Sequence, residues 1–279
     1  MEKRLTAQGP YGRQSFTVTL PIEWVKDNRL EKSRIVELAV VGKKVIISAN
    51  EPDEKLLVID GDVYSSVMIK VLQHVFRLGR NEVKIRYSDE AVLKDVEEII
   101  EGLIGYEILE VKDDYVIIRD ITRESEEFKA VLRRIFLLLL ELSESGPGVK
   151  LNSLDKNVKK LINYCQRIIM LRGHTDYQKT PAYYLLLDRL EKLGDEFRWY
   201  ITTKAKHKQY LEMKKLLRVA YNLFYKFDSK EYARSQAKTY LLLQEIRLEK
   251  KTDRSIVHLH NLARILNSLY GDVFMIAGV

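Results

Sequence analysis

The chain has 279 residues, 46% of them hydrophobic and 31% charged, enough for one large domain or two to three small ones with a real core. Its net charge of +7 favours an anionic partner, although the basic residues are spread along the whole chain. One cysteine, Cys165, excludes an internal disulfide and a cysteine-rich metal site, and its apolar surroundings point to a buried, inert thiol. The longest apolar run (135–140) is far short of the roughly 20 residues a membrane span needs, and "MEKRLTAQGP" has no apolar signal-peptide stretch. A cytoplasmic protein without membrane insertion is expected.

Residues 1–50 read as a small β domain. "SFTVTL" alternates and is rich in β-branched residues. "IVELAV" and "KKVIIS" are two more strands, turning at Gly42. Between them "PIEWVKDNRL" forms one short helical stretch with Pro21 at its first position, where a missing N–H costs nothing. Such a unit buries little apolar surface alone, so Ile22, Trp24, Val25 and Leu30 need a partner surface. A second copy, exchanged across a two-fold axis, would supply it. The loop "TAQGPYGRQS" brings two glycines, a proline, Arg13, Gln14 and Ser15 after Lys3 and Arg4. Arg13 and Gln14 carry donors suited to base edges and Lys3 and Arg4 suit phosphates, and the same residues equally suit ordinary solvated groups on a short β domain.

Residues 51–122 alternate between helix and strand. "VYSSVMIKVLQHVFRLG" is a helix ending at Gly79 and "EVKIRY" a strand. A second helix follows with Ser88 as its N-cap and Val92, Val96, Ile99, Ile100 and Leu103 on one face. "YEILEVKDDYVIIRDI" is a hairpin turning at Asp113 and Asp114. From residue 123 to 279 the chain is helical, with six segments near 124–144, 152–172, 180–203, 206–228, 230–250 and 254–275. Short joints imply an antiparallel bundle. "RLEKLGDEF" and "NLARILNSL" place Glu191 and Ala263 at like positions, 72 residues apart (263 − 191), which fits two three-helix units. The fold class is therefore α+β, mainly α.

Asp188, Glu191 and Asp195 share one face of the third bundle helix. Carboxylates so spaced suit a hard or borderline cation such as Mg²⁺, Mn²⁺ or Fe. Against this, Lys159 or Lys160 on the neighbouring helix could itself neutralise them, Arg189, Lys192 and Arg198 suit a salt-bridged face, and the second unit has Ala263 and Asn267 instead of acids. His74, His174, His207, His258 and His260 have no catalytic or metal spacing, and "GPYGRQ" is not a phosphate-cradling loop. No catalytic constellation is present, and no enzyme is expected.

The pattern of strand, "TLPIEWVKDNRLEKSRIVEL", glycine turn and "KVIIS" resembles the swapped-hairpin AbrB/SpoVT family of DNA-binding domains. It departs from that family near Asn28 and Arg29, where a glycine is usual, and at Arg34, where an acid is common. The remainder, through "EIIEGLIGYEILEV" and "LEKLGDEF", resembles the archaeal form of PhoU, the phosphate-uptake regulators. Together these resemblances imply a homodimer joined through residues 1–50 and double-stranded DNA as partner. They also imply a link to phosphate homeostasis, contact with phosphate-transport proteins, and one divalent metal at Glu191 and Asp195. The alternative is a PhoU-type adaptor that regulates a phosphate transporter or sensor by protein contact, without DNA.

Overall fold

A computed structural model describes residues 3–41, 44–49, 56–122, 128–249 and 253–278. The chain divides into two units, Met1–Asp53 and Glu54–Val279. The Gly42 turn, the 50/51 boundary and the expected start of the first bundle helix at 124 lie outside the described residues.

In the first unit β1 (Thr6–Gln8) pairs antiparallel with β2 (Ser15–Thr17), with Ala7 opposite Phe16. The strand expected over "SFTVTL" is thus three residues long, and the first three residues of the expected loop are its partner. The expected single helix is two: α1 (Ile22–Asp27) and α2 (Leu30–Ser33). Asn28 ends the first by donating its side-chain N–H to Trp24 O at 2.8 Å, and Arg29 then turns left-handed at φ 53°. Pro21 is the extended residue just before α1, not its first helical one. β3 (Val36–Val41) and β4 (Lys44–Ala49) form a second antiparallel pair.

The second unit begins with a four-stranded sheet, built from β5 (Leu57–Asp60), α3 (Met68–Arg77), β6 (Glu82–Arg86), α4 (Glu90–Ile100), β7 (Tyr106–Lys112) and β8 (Tyr115–Asp120). The strand order is β5-β6-β8-β7, with β5 parallel to β6 and the other pairs antiparallel. β5 was not expected. Its four residues straddle both faces, too short a run for a period to declare itself. Both helices cover one face, burying Met68, Leu72, Phe76, Val92 and Val96 against Val83, Ile85, Val116 and Ile118. The N-cap of α4 is Asp89, whose carboxylate accepts from Ala91 N at 2.9 Å. Ser88, expected in that role, is held by Asp62, which accepts from its N–H and its hydroxyl.

Six helices follow among the described residues: α5 (Phe128–Glu144), α6 (Val149–Arg172), α7 (Thr180–Thr202), α8 (Lys208–Tyr225), α9 (Ser229–Arg247) and α10 (Arg254–Ala277). α5, α6 and α7 pack on one another, as do α8, α9 and α10. The α7–α10 and α5–α8 contacts join the two sets. One apolar core runs through all six, including Phe136, Leu187, Phe197, Leu217, Leu262 and Tyr270. Cys165 lies fully inside it, and burial pushes its thiol up to about 12.

Candidate nucleic-acid interface and carboxylate face

The β1–β2 hairpin is closed by a glycine-dependent turn. Arg13 N donates to Pro10 O at 3.0 Å, and Gly12, at the third turn position, has φ 89°. Gly9 has φ 104°, and a Cβ there would lie 3.1 Å from Arg13 O. Ser15 Oγ donates to Gln8 O across the ladder. Lys3, Arg4, Arg13, Gln14 and Ser15 are all exposed. Residues 3–22 include Lys3, Arg4 and Arg13 and no acid, so this arm has uniformly positive charge. The structure brings Arg13, Gln14 and Ser15 together beside the turn. Lys3 and Arg4 lead into β1 at the other end of the three-residue ladder, which spans about 7 Å at 3.3 Å per strand residue. Tyr11, 99% exposed at the tip, escaped notice in the sequence. Its position between two turn glycines was the available signal.

The same unit leaves much apolar surface open. Phe16, Val18, Ile22, Ile35, Leu38 and Val40 are exposed. A groove of about 420 Å³ is lined by Leu20, Ile22, Val25, Leu30 and Val36, with Glu31 and Arg34 also lining it. Only Leu30 is buried among the large hydrophobics described in this unit.

On α7 the carboxylates are answered by cations from the protein itself. Arg77 Nη2, from α3, donates to both oxygens of Glu191 at 3.0 Å, while its Nε donates to Asn163 Oδ1 at 2.7 Å. Lys159 Nζ, from α6, stands between Asp195 Oδ1 at 2.8 Å and Asp155 Oδ2 at 2.9 Å. Burial works against the Lys159 charge. Its hydrogen bonds to Asp195 and Asp155 outweigh that, and its pKa is raised. Asp188 pairs with Lys192, Arg189 with Asp272 and Arg198 with Asp155. No group of three or more His, Cys, Asp or Glu side chains suited to a metal occurs among the described residues. The residues present do not fit a divalent ion shared by Glu191 and Asp195, because both Glu191 oxygens hold a guanidinium and Asp195 Oδ1 holds an ammonium. In the second unit Ala263 is fully buried, and Asn267 Oδ1 accepts from Gln236 Nε2 at 2.9 Å.

Arg77 is one half of a reciprocal exchange between the sheet segment and the bundle. The other half is Arg167 of α6, 3% exposed. It donates to Asp120 Oδ2, Asn81 Oδ1, Phe76 O and Arg80 O. Neither arginine stood out in the sequence. Arg167 was detectable as a charge among core-facing residues of α6, between Ile162, Cys165 and Ile169. A third polar pair, His258 Nδ1 with Glu196 Oε2 at 2.8 Å, joins residues 62 apart and had no sequence signature.

No helix among the described residues is long and apolar enough to cross a membrane. No family model matches the chain, and no curated protein or solved structure is significantly similar to it.

Proposed function

We propose that the chain is a dimeric, DNA-binding transcription regulator. Its N-terminal arm contacts duplex DNA, and its helical body couples it to phosphate uptake. The observation that carries the reading is the arm itself. Three cations, no acid and a glycine-shaped turn stand fully in solvent on a unit too small to bury its own apolar side chains. Backbone at such a turn can approach a phosphate closely. Arg13 and Gln14, at the turn, are the base-reading pair, and Lys3 and Arg4, a strand's length away, hold the phosphate backbone.

Dimerisation accounts for the open groove lined by Leu20, Ile22, Val25 and Val36 and for exposed Phe16, Val18, Leu38 and Val40. A two-fold pair presents the arm twice, which suits a pseudo-palindromic site. The link to phosphate-transport genes or proteins rests on the resemblance of the body alone.

Fluorescence anisotropy with genomic duplex fragments tests the DNA reading. Binding that weakens steeply with salt, and is lost in an Arg4→Ala plus Arg13→Ala variant, is expected. Absence of binding at low salt, or binding unchanged in that variant, overturns it. Genome-wide occupancy with and without phosphate tests the signal, with enrichment at phosphate-transport promoters as the expected result.

A further inference from the structure

α9 is apolar on two faces. Ser235, Thr239, Leu242, Leu243 and Ile246 face inward and are buried against α8 and α10. On the opposite side Ala233, Ala237, Tyr240 and Leu241 are exposed and Gln244 is half-buried, with Leu248 exposed just past the helix end. These six fall within roughly 100° of arc at 3.6 residues per turn, with Lys230 of the first turn at its N-terminal end. Tyr240 is 55% exposed, Leu241 65% and Leu248 82%. Single exposed leucines are ordinary. A stripe is not, because the outer face of a bundle helix is normally polar. Ala233, Ala237, Tyr240 and Gln244 follow one another at steps of four, three and four, the spacing of a helix-pairing seam.

We propose that this stripe is a self-association surface: two copies of the chain pair their α9 helices antiparallel about a two-fold axis near Tyr240 and Leu241. The self-complementarity of the stripe selects this occupant. In the antiparallel register Ala233 meets the second copy's Leu248, Ala237 meets Gln244, and Tyr240 meets Leu241. Each small side chain opposes a larger one, and the central pair is aromatic against aliphatic. Parallel pairing would set alanine against alanine and leucine against leucine, leaving a gap at one end and crowding at the other.

Charge follows the same rule. On one flank of the stripe Arg234 and Lys238 stand in the N-terminal half beside Glu231, and Glu245 and Glu249 at the C-terminal end. Antiparallel pairing sets the two cations of each copy beside the two acids of the other. Arg234, Lys238 and Glu245 now pair with Glu231, Glu212 and Lys208, mostly in solvent, so exchanging partners costs little. Because the same patch meets itself, the contact closes on two copies. It lies on the bundle and does not depend on the DNA reading.

Cysteine cross-linking of the full-length protein tests this. Buried Cys165 is unreactive and serves as background. Ala233→Cys and Leu248→Cys proteins, mixed and oxidised, are expected to form a cross-linked dimer, whereas each alone is not. Adding Tyr240→Glu and Leu241→Glu to both is expected to abolish the cross-link and leave the circular dichroism spectrum unchanged, since both side chains are exposed on the single chain. No cross-link in the mixture, efficient cross-linking of either protein alone, or a cross-link that survives the glutamates overturns the proposal.

Discussion

Arg167 uses each of its three nitrogens inside the protein and lies 4.9 Å over the Phe76 ring. Two of its acceptors, Phe76 O and Arg80 O, lie in the last turn of α3 and just beyond it, where a cation also suits the helix dipole. Arg167→Met leaves the Asp120 carboxylate, 11% exposed, without its cation and with only the Thr122 bonds to Oδ1. A loss of about 3–5 kcal/mol of stability is expected, measured by urea unfolding. His174 offers a pH test. Burial lowers its pKa, and Asp176 N donates to its Nδ1 at 3.0 Å, so the neutral ring carries its proton on Nε2. A depressed folded pKa gives stability that is present above the ordinary histidine value and lost as pH falls through the lowered one. His174 is therefore expected to titrate below free histidine in an NMR pH series. Thermal stability should drop on acidification below about pH 6.5, and less so in His174→Gln.

Among the elements, α7 carries the clearest consequence. With Arg77 on Glu191 and Lys159 between Asp155 and Asp195, wild-type protein is expected to show no stoichiometric Mn²⁺ binding by calorimetry. Arg77→Ala with Lys159→Ala should uncover the carboxylates and introduce weak binding. Binding by the wild type at the strength of the double variant would contradict the cation-filled account. The possibility that a lysine takes the metal's place was visible in the sequence because Lys159 lies on the neighbouring helix of the same unit. Arg77 was not, because it arrives from α3, 114 residues before Glu191. Helices such as α6 and α10, 24 residues each, were legible because many turns repeat one apolar face. β1 and β5, of three and four residues, show no period, and the choice of Asp89 over Ser88 as cap depended on Asp62, distant in sequence. Gly105 provides a further test at this scale. Its φ is 101°, and a Cβ would lie 2.7 Å from Asp120 Oδ1, the carboxylate that Arg167 holds. Gly105→Ala is expected to lower stability by more than 1 kcal/mol, read in the same urea assay.

The chain comprises one unit with a single buried large hydrophobic among its described residues and a second unit with two extensive cores. In the second, the sheet segment and bundle are cross-pinned by Arg77, Arg167 and Lys160, the last donating to Glu101 O at 2.8 Å. Residues 54–279 are therefore expected to unfold in one transition, with the Arg167→Met protein the most prone to separate into two. The order of the parts and the α+β, mainly helical class could be read from the sequence, because both depend on local periodicity. The pins could not, since each joins residues far apart in the chain. The placing of Lys3 and Arg4 away from Arg13 also needed the ladder, whose register decides which end of a hairpin each cation occupies.

The most direct measurement of the account is the salt dependence of duplex binding by the full-length protein, wild type against Arg4→Ala. The DNA-binding reading predicts a steep fall of log K with log salt, and a slope shallower by about 1 per protomer once one phosphate contact is removed. A wild-type protein that binds no duplex at low salt, or an Arg4→Ala slope identical to wild type, would contradict it.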